Sequence, residues 1–368
     1  MSSISRKNMN IAKQEQKAYN DLMKDVEKKI DQEYAKAHAD LAKKTEDYFR
    51  RFEKKDAIWQ GWVESGEKSK EEYRAWRAGQ MAMGKRWEDM RDTIASDLAH
   101  SDQIAAGIVN NSLPDAYALG HNWGTYQVET NIGINTGYTL YNHEAVEQLL
   151  KKDLQLLPMA NPNIPKDKRW NRQHLDSAIT QGILQGESIP DIAKRLEDVT
   201  DMNHKAALRN ARTMTGSAQN AGHFDAYKRA ENMGIELEKQ WVATFDGRTR
   251  TSHRYLHGET QPMDEPFSNG LMYPKDPWGA AEEVYNCRCR LISNVTGYHR
   301  DVKGIYNEEL MGMSYEEWLD ATPVSQSITH GEEVAQAQKM RYIREYRNGA
   351  NKKRGSNQPQ KRNNRSKK

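Results

Sequence analysis

The stretch of this sequence richest in residues capable of chemistry runs from Trp241 to Cys289. It opens Trp241-Val-Ala-Thr-Phe-Asp246-Gly-Arg248-Thr-Arg250-Thr-Ser-His253 and continues to His257 and Gly258. Tyr273-Pro274-Lys275-Asp276-Pro277 and Asn286-Cys287-Arg288-Cys289 follow. Three chemistries suit these residue types. First, His253 and His257 are four apart and would share one face of a helix. With the thiolates of Cys287 and Cys289 they make a His2Cys2 set of the kind that holds a structural zinc ion. The CxC spacing is tighter than the common CxxC knuckle, so a small buried cysteine and packed or exposed histidines stand as the alternative. Second, Asp246, Arg248, Arg250 and His253 are close enough in sequence for Asp–Arg pairing and for an Asp to orient a His. Catalysis would further require a nucleophile or a phosphate site, and the sequence has no phosphate-binding Gly-rich loop and no Ser nucleophile elbow. The expectation is therefore a buried salt-bridge network that braces a loop-rich fold. Third, Arg288 and Arg290 alternate with the cysteines, where they could touch phosphate or close internal ion pairs.

The elements that must position these residues are mostly helical. Apolar residues recur at Tyr19, Met23, Val26, Ile30, Tyr34, Ala37, Leu41 and Tyr48, mostly three or four apart. This predicts one long amphipathic helix from about Ile11 to Phe52, of coiled-coil type, whose stripe needs a partner surface. A second helical block is expected from Glu71 to Leu98. The character changes after Leu113-Pro114, and periodicity leaves Gly120 to Tyr141 open between loop, short strand and loosened helix. A helix from Glu144 to Leu157 is expected to end before Pro158, with a boundary at Asn161, Pro162 and Pro165. Leu175, Ile179, Ile183 and Leu184 form another stripe, closed by Gly186 as C-cap. Ser188 begins a further helix with Pro190 in its first turn. A third helix is predicted from Lys205 to Met233 and a strand over Trp241–Phe245. Ser314-Tyr315-Glu316-Glu317 reads as a capping box.

Composition bounds the rest. Of the 368 residues, 36% are hydrophobic and 29% charged. This is polar for one compact globule, so exposed helix or tail is expected. No apolar run approaches the ~20 residues of a membrane span. The start, MSSISRKNMN, has no signal-peptide core, and the two cysteines fit a reducing compartment, together suggesting a protein made and used in a cytoplasm. From Arg341 to Lys368 eleven Lys/Arg face one acid, Glu345, a surplus of ten. Because the whole chain carries only +3, everything before the tail carries −7. The tail cations are Arg341, Arg344, Arg347, Lys352, Lys353, Arg354, Lys361, Arg362, Arg365, Lys367 and Lys368. A disordered basic segment of this kind suits non-specific contact with double-stranded DNA, with affinity that falls steeply with salt. A merely solubilising tail is the alternative.

Taken together and in order, these motifs resemble the phage Mu F-like family of minor head, or head-morphogenesis, proteins of tailed bacteriophages. The family's mark is an Arg-Thr pair on a helix, a Trp-containing strand, an Asp-x-Arg-x-Arg-x-x-His turn followed by Gly, a Tyr-Pro-x-Asp-Pro loop and Asn-Cys-Arg-Cys. Here these are Arg212-Thr213, Trp241, Asp246/Arg248/Arg250/His253 with Gly258, Tyr273-Pro274-Lys275-Asp276-Pro277 and Asn286–Cys289. The resemblance covers residues 170 to 295. His257 departs from it, since an acidic residue is expected before the Gly. The resemblance implies a virion component at the head interior or portal vertex, a non-enzyme with the portal, major capsid or scaffolding proteins and DNA as partners. It implies no cofactor beyond the zinc considered above, and no membrane. The expected fold is α+β and mainly helical: long N-terminal helices (1–113), a connecting region (114–165), a small helix-plus-short-strand domain (166–296), a helical extension (297–340) and a disordered basic tail (341–368). Two rivals remain. One is a metal-dependent hydrolase or toxin-like domain using Asp246, His253, Cys287 and Cys289. The other is a host DNA-binding protein with a coiled-coil arm.

Overall fold

A computed structural model describes residues 3–153 and 156–324. The basic tail, with every cation named for DNA contact, lies outside them. The order of elements is α1 (Ser3–Glu64), α2 (Lys70–Met81), α3 (Lys85–Ile132), β1 (Ile134–Asn135), α4 (His143–Lys152), α5 (Ile164–Gln185) and α6 (Ile189–Asn232). There follow β2 (Ile235–Val242), α7 (Thr251–Tyr255), β3 (Thr260–Pro262), α8 (Ala281–Val284), β4 (Arg290–Tyr298), β5 (Ile305–Tyr306), a 3-10 turn (Glu308–Gly312) and α9 (Tyr315–Ala321). This is a mainly helical α+β chain. Packing divides it into two units. One takes described residues within Met1–Tyr19, Leu113–Pro158 and Thr213–Lys368, the other Asn20–Ser112 and Met159–Arg212.

The second unit is a helical core. Its cluster joins Leu41, Tyr48, Phe49 and Phe52 of α1 to Trp87, Ile94 and Leu98 of α3, Leu175, Ile179 and Ile183 of α5, and Ile192, Leu196 and Val199 of α6. The apolar stripe of α1 is therefore consumed within the chain. Met23, Val26, Ile30, Tyr34 and Leu41 are all at most 6% exposed. The reading of that stripe as a coiled-coil or docking surface for another protein is corrected on this point. Arg77 and Asp56 form a buried ion pair here at 3.0 Å. Local signals set the helix ends. Ser69 and Glu72 make a capping box on α2, and Gly186 closes α5 at φ 73°.

Other boundaries fall elsewhere than the sequence suggests. Met81 ends α2 and Lys85 begins α3, splitting the block expected from Glu71 to Leu98. Helix α3 runs through Pro114 to Ile132, across the expected boundary. Its residues 121–130 are buried without exception. A helix buried on every side has no amphipathic period, which is why periodicity could not assign it. Helix α6 unites the two helices expected from Ser188 and Lys205. Strand β2 begins earlier than expected and ends at Val242. The segment after 296, expected to be helical, carries β5 and the 3-10 turn before α9. It is anchored by β1–β5 pairing and by Trp318, which is 1% exposed.

In the first unit, β2 is the centre of an antiparallel sheet in the order β3-β2-β4, with Trp241 opposite Leu291. Ile235, Leu237, Lys239 and Trp241 alternate inward from β2. Lys239 is fully buried, its ammonium 5.2 Å from the rings of Phe224 and Phe267 and bonded to the Met263 carbonyl. Helices α3 and α6 meet backbone to backbone. A Cβ on Gly120 would lie 2.0 Å from the Gln219 carbonyl oxygen, and one on Gly222 would lie 2.2 Å from that of Tyr117. Gly120→Ala and Gly222→Ala should each destabilise the protein by about 1–3 kcal/mol or more through overpacking. Gly107→Ala, at a helical position with open space around it, should instead stabilise by up to ~1 kcal/mol. Thermal denaturation of the three variants checks both signs.

Candidate functional site

After β2 the chain leaves regular structure, and its backbone groups must be satisfied by side chains. Asp246 does this first. Its Oδ1 accepts the Arg248 N–H at 2.8 Å, and the Thr249 N–H reaches the Asp246 carbonyl at 3.2 Å. The turn delivers the chain into α7, which carries His253. Gly258, at φ 85°, then donates to the Trp241 carbonyl at 2.9 Å and folds the segment back on β2. The Tyr273–Pro277 loop is built in the same way. Asp276 accepts the N–H groups of Met272 and Trp278 at 3.2 and 3.1 Å. Tyr273, Pro274 and Asp276 are buried, and Tyr273 packs on Phe224. Asn286 takes a left-handed conformation at φ 58°, and its N–H donates to the Thr213 hydroxyl of α6. This bend presents Cys287 and, two residues on, Cys289.

The ion pairs are not those expected. The Asp246 carboxylate pairs with both terminal guanidinium nitrogens of Arg288, not with the side chains of Arg248 or Arg250. Arg288 and the Arg248 N–H hold its carboxyl well below the usual range. The pair is about one-third exposed, so the expectation of a buried network is corrected here. Arg250 donates to the Tyr285 carbonyl. Arg290 donates to the Ala12 carbonyl. Arg212 binds Glu27 of α1 at 2.5 Å. The carboxylate that orients His253 is Glu283, 2.8 Å from its Nε2.

The structure brings together His253, Cys287 and Cys289. One ligand-type atom of each lies within 4.8 Å of the others, and all three residues are buried. His257 does not join them. Its Nδ1 accepts the Ala243 N–H at 3.2 Å and its ring packs edge-on against Phe245. The His2Cys2 set is thus reduced by one histidine, because α7 ends at Tyr255 and the two histidines do not share a helix face. Trp241 meets the His253 ring edge-on at 5.3 Å. A hydrogen bond from Cys289 and the neighbouring His253 hold the Cys287 thiol below its ordinary pKa against the opposing effect of burial. The same Cys287 contact, with burial, pushes Cys289 up. Burial lowers the His253 pKa, but Cys287 and Glu283 outweigh it and the net shift is upward. Cys287–His253–Glu283 has the order of nucleophile, base and orienting group. Cys287 is 3% and His253 1% exposed, however, which leaves no approach for a substrate.

Two residues the sequence did not single out complete the site. Glu283 gave no signal beyond its charge. Asn220 is a polar residue two turns after Thr213 on α6. Its amide donates to the Cys289 carbonyl and its oxygen accepts the Leu291 N–H at 2.9 Å. Asn220→Ala leaves the Cys289 carbonyl and the Leu291 N–H without this partner and should cost about 1–3 kcal/mol, read as a lower urea midpoint.

Residues 173–292 match the family described as Phage Mu protein F like protein. The chain is 31% identical over 204 residues to the NAD(+)--arginine ADP-ribosyltransferase EFV of Enterococcus faecalis, covering 53% of this chain and 40% of that protein. It is 26% identical over 216 residues to Minor head protein GP7 of Bacillus phage SPP1, covering 58% and 69%. It is 38% identical over 64 residues to the Mu-like prophage FluMu F protein of Haemophilus influenzae, covering 17% and 14%. No solved structure matches.

Proposed function

The chain belongs to the phage Mu F-like head morphogenesis family, and from that premise we propose that it is a minor head protein that serves a structural role in the virion. The alignment that spans 69% of the SPP1 minor head protein carries this reading. The motif block supports it, since its Asp, Arg and His side chains are engaged with backbone groups and with one another. Its place is the head interior at the portal vertex, with portal, major capsid or scaffolding proteins as partners. The contacts are expected on surfaces other than the α1 stripe, which the chain buries itself.

Double-stranded DNA is the further partner, through the surplus of ten positive charges from Arg341 to Lys368. Counterion release makes such binding independent of sequence and strongly dependent on salt. Co-expression with the portal and capsid proteins of the same phage should give procapsids that retain the chain. DNA retention by the purified protein should fall by about 10³-fold or more between 50 and 200 mM salt and be lost on removal of 341–368. Equal retention by the truncated protein would refute the tail assignment.

The enterococcal relative supports a second reading, arginine ADP-ribosyl transfer, because it aligns at 31% identity. Only 40% of that protein takes part in the alignment. The hydrolase reading loses ground, since Asp246 is engaged by Arg288 rather than joined to the cysteines. Incubation with labelled NAD+ and an arginine-rich acceptor is expected to leave the acceptor unlabelled. Transfer above the background of heat-treated protein would replace the structural reading with the enzymatic one.

A further inference from the structure

The cluster of His253, Cys287 and Cys289 has a geometry that thiol packing alone does not require. His253 Nδ1 lies 3.4 Å from the Cys287 sulfur and 3.5 Å from that of Cys289. A tetrahedral zinc ion with Zn–S near 2.3 Å and Zn–N near 2.0–2.1 Å sets its nitrogen and sulfur ligands about 3.5–3.6 Å apart. The observed edges lie close to that spacing. Two sulfurs on such an ion stand about 3.8 Å apart, within the 4.8 Å that encloses all three atoms here.

The surroundings fit as well. Glu283 holds His253 Nε2 at 2.8 Å. This fixes the tautomer that leaves a lone pair on Nδ1, the carboxylate–histidine arrangement usual behind a metal-bound imidazole. One sulfur is met by a backbone N–H group, as a thiolate favours. The Cys289 N–H approaches the Cys287 sulfur at 3.4 Å. The indole N–H of Trp241, whose ring meets that of His253, is buried with no hydrogen-bond partner among the described residues. The backbone that presents the cysteines is held by Thr213 and Asn220 of α6.

We propose that His253 Nδ1, Cys287 Sγ and Cys289 Sγ bind one zinc ion, with a water molecule in the fourth position. Glu283 is a positioning residue. Two thiolates balance the charge of the ion, so the burial of the site costs far less than a lone charge would. The ion clamps α7 to the start of β4 across a segment with little regular structure. His257 takes no part, which sets this site apart from the four-ligand arrangement suggested by residue types alone.

The full chain, produced in zinc-containing medium and purified without chelator, is expected to carry about one zinc ion per molecule by elemental mass spectrometry. Cys287→Ser and Cys289→Ser should abolish it. His257→Ala should leave it unchanged. Glu283→Gln should weaken zinc affinity about 10–100-fold in competition with a chromogenic chelator. Cobalt(II) exchanged into the unaltered chain should give the intense visible absorption of a tetrahedral thiolate site. This readout and the Glu283→Gln affinity decide the matter even if the serine variants fail to fold. Zinc-free protein with both thiols free, a Cys287–Cys289 disulfide, or zinc that persists in Cys287→Ser overturns the proposal. So does loss of zinc in His257→Ala.

Discussion

Helix α6 between Thr213 and Tyr227 must serve two neighbours at once, and much of the first unit follows from that demand. On one side it touches the backbone of α3, where Gly120 and Gly222 leave no room for a side chain. On the other its Thr213 and Asn220 hold the chain from Asn286 to Leu291. Gly216 admits the Lys275 side chain, which would collide with any Cβ there. At the points of closest approach there is no room for a large side chain. Short polar residues are what fit, and buried polar groups must then find one another.

They do so in a continuous network. Glu15 of α1 accepts from Gln219 and lies 2.7 Å from His223 Nε2, with both side chains of the Glu15–His223 pair no more than 3% exposed. Tyr227 donates to Gln127 of α3 at 2.7 Å, and Gln127 donates to the Ser293 carbonyl of β4. Loss of one partner from such a pair strands the other without water. That cost, about 3–5 kcal/mol, exceeds the gain from forming the pair. The network thus secures the register of α1, α3, α6 and β4 more than it adds stability. The Asp246–Arg288 pair is a different case. It is about one-third exposed, so solvent screens it, and its service is to fix a turn.

How much of this was legible in the sequence depended on whether a signal was local. The Gly186 cap, the Ser188 start and the Ser314–Glu317 capping box need only neighbouring residues, and each stands where the sequence placed it. The course of α3 through Pro114 was not legible. Its Gly, Asn, Thr and Tyr residues resemble a loop until the surrounding structure is known to bury all of 121–130. The continuity of α6 was not legible either, since the pattern offered two starts, at Ser188 and Lys205, where one helix runs from Ile189 to Asn232. Within the site, residue types identified His253 and the cysteines. They could not separate His257 from His253, because the end of α7 at Tyr255 is set by packing. Nor could they find Glu283, which reaches His253 from 30 residues away.

The same reasoning explains why a segment so suggestive of catalysis has the residues it has. From Ala243 to Cys289 the sheet supplies few ladder bonds, and each unpaired backbone group needs a partner. Asp246 serves the Arg248 N–H, Asp276 those of Met272 and Trp278, and Glu259 that of Ser268. Arg254 and Arg250 reach the carbonyls of Asp246 and Tyr285. Thr249 bonds the Thr244 carbonyl. Carboxylates and hydroxyls cap turns in this way because they are short and accept strongly, and arginines because their donors span gaps. A list of Asp, Arg, His and Thr at fixed spacing is therefore what a compact, irregular fold demands of its sequence, whether or not any bond is ever broken there. The cysteines fall outside that account. No backbone group requires two thiols and an imidazole edge at contact distance, so they are the part of the motif for which folding alone gives no reason.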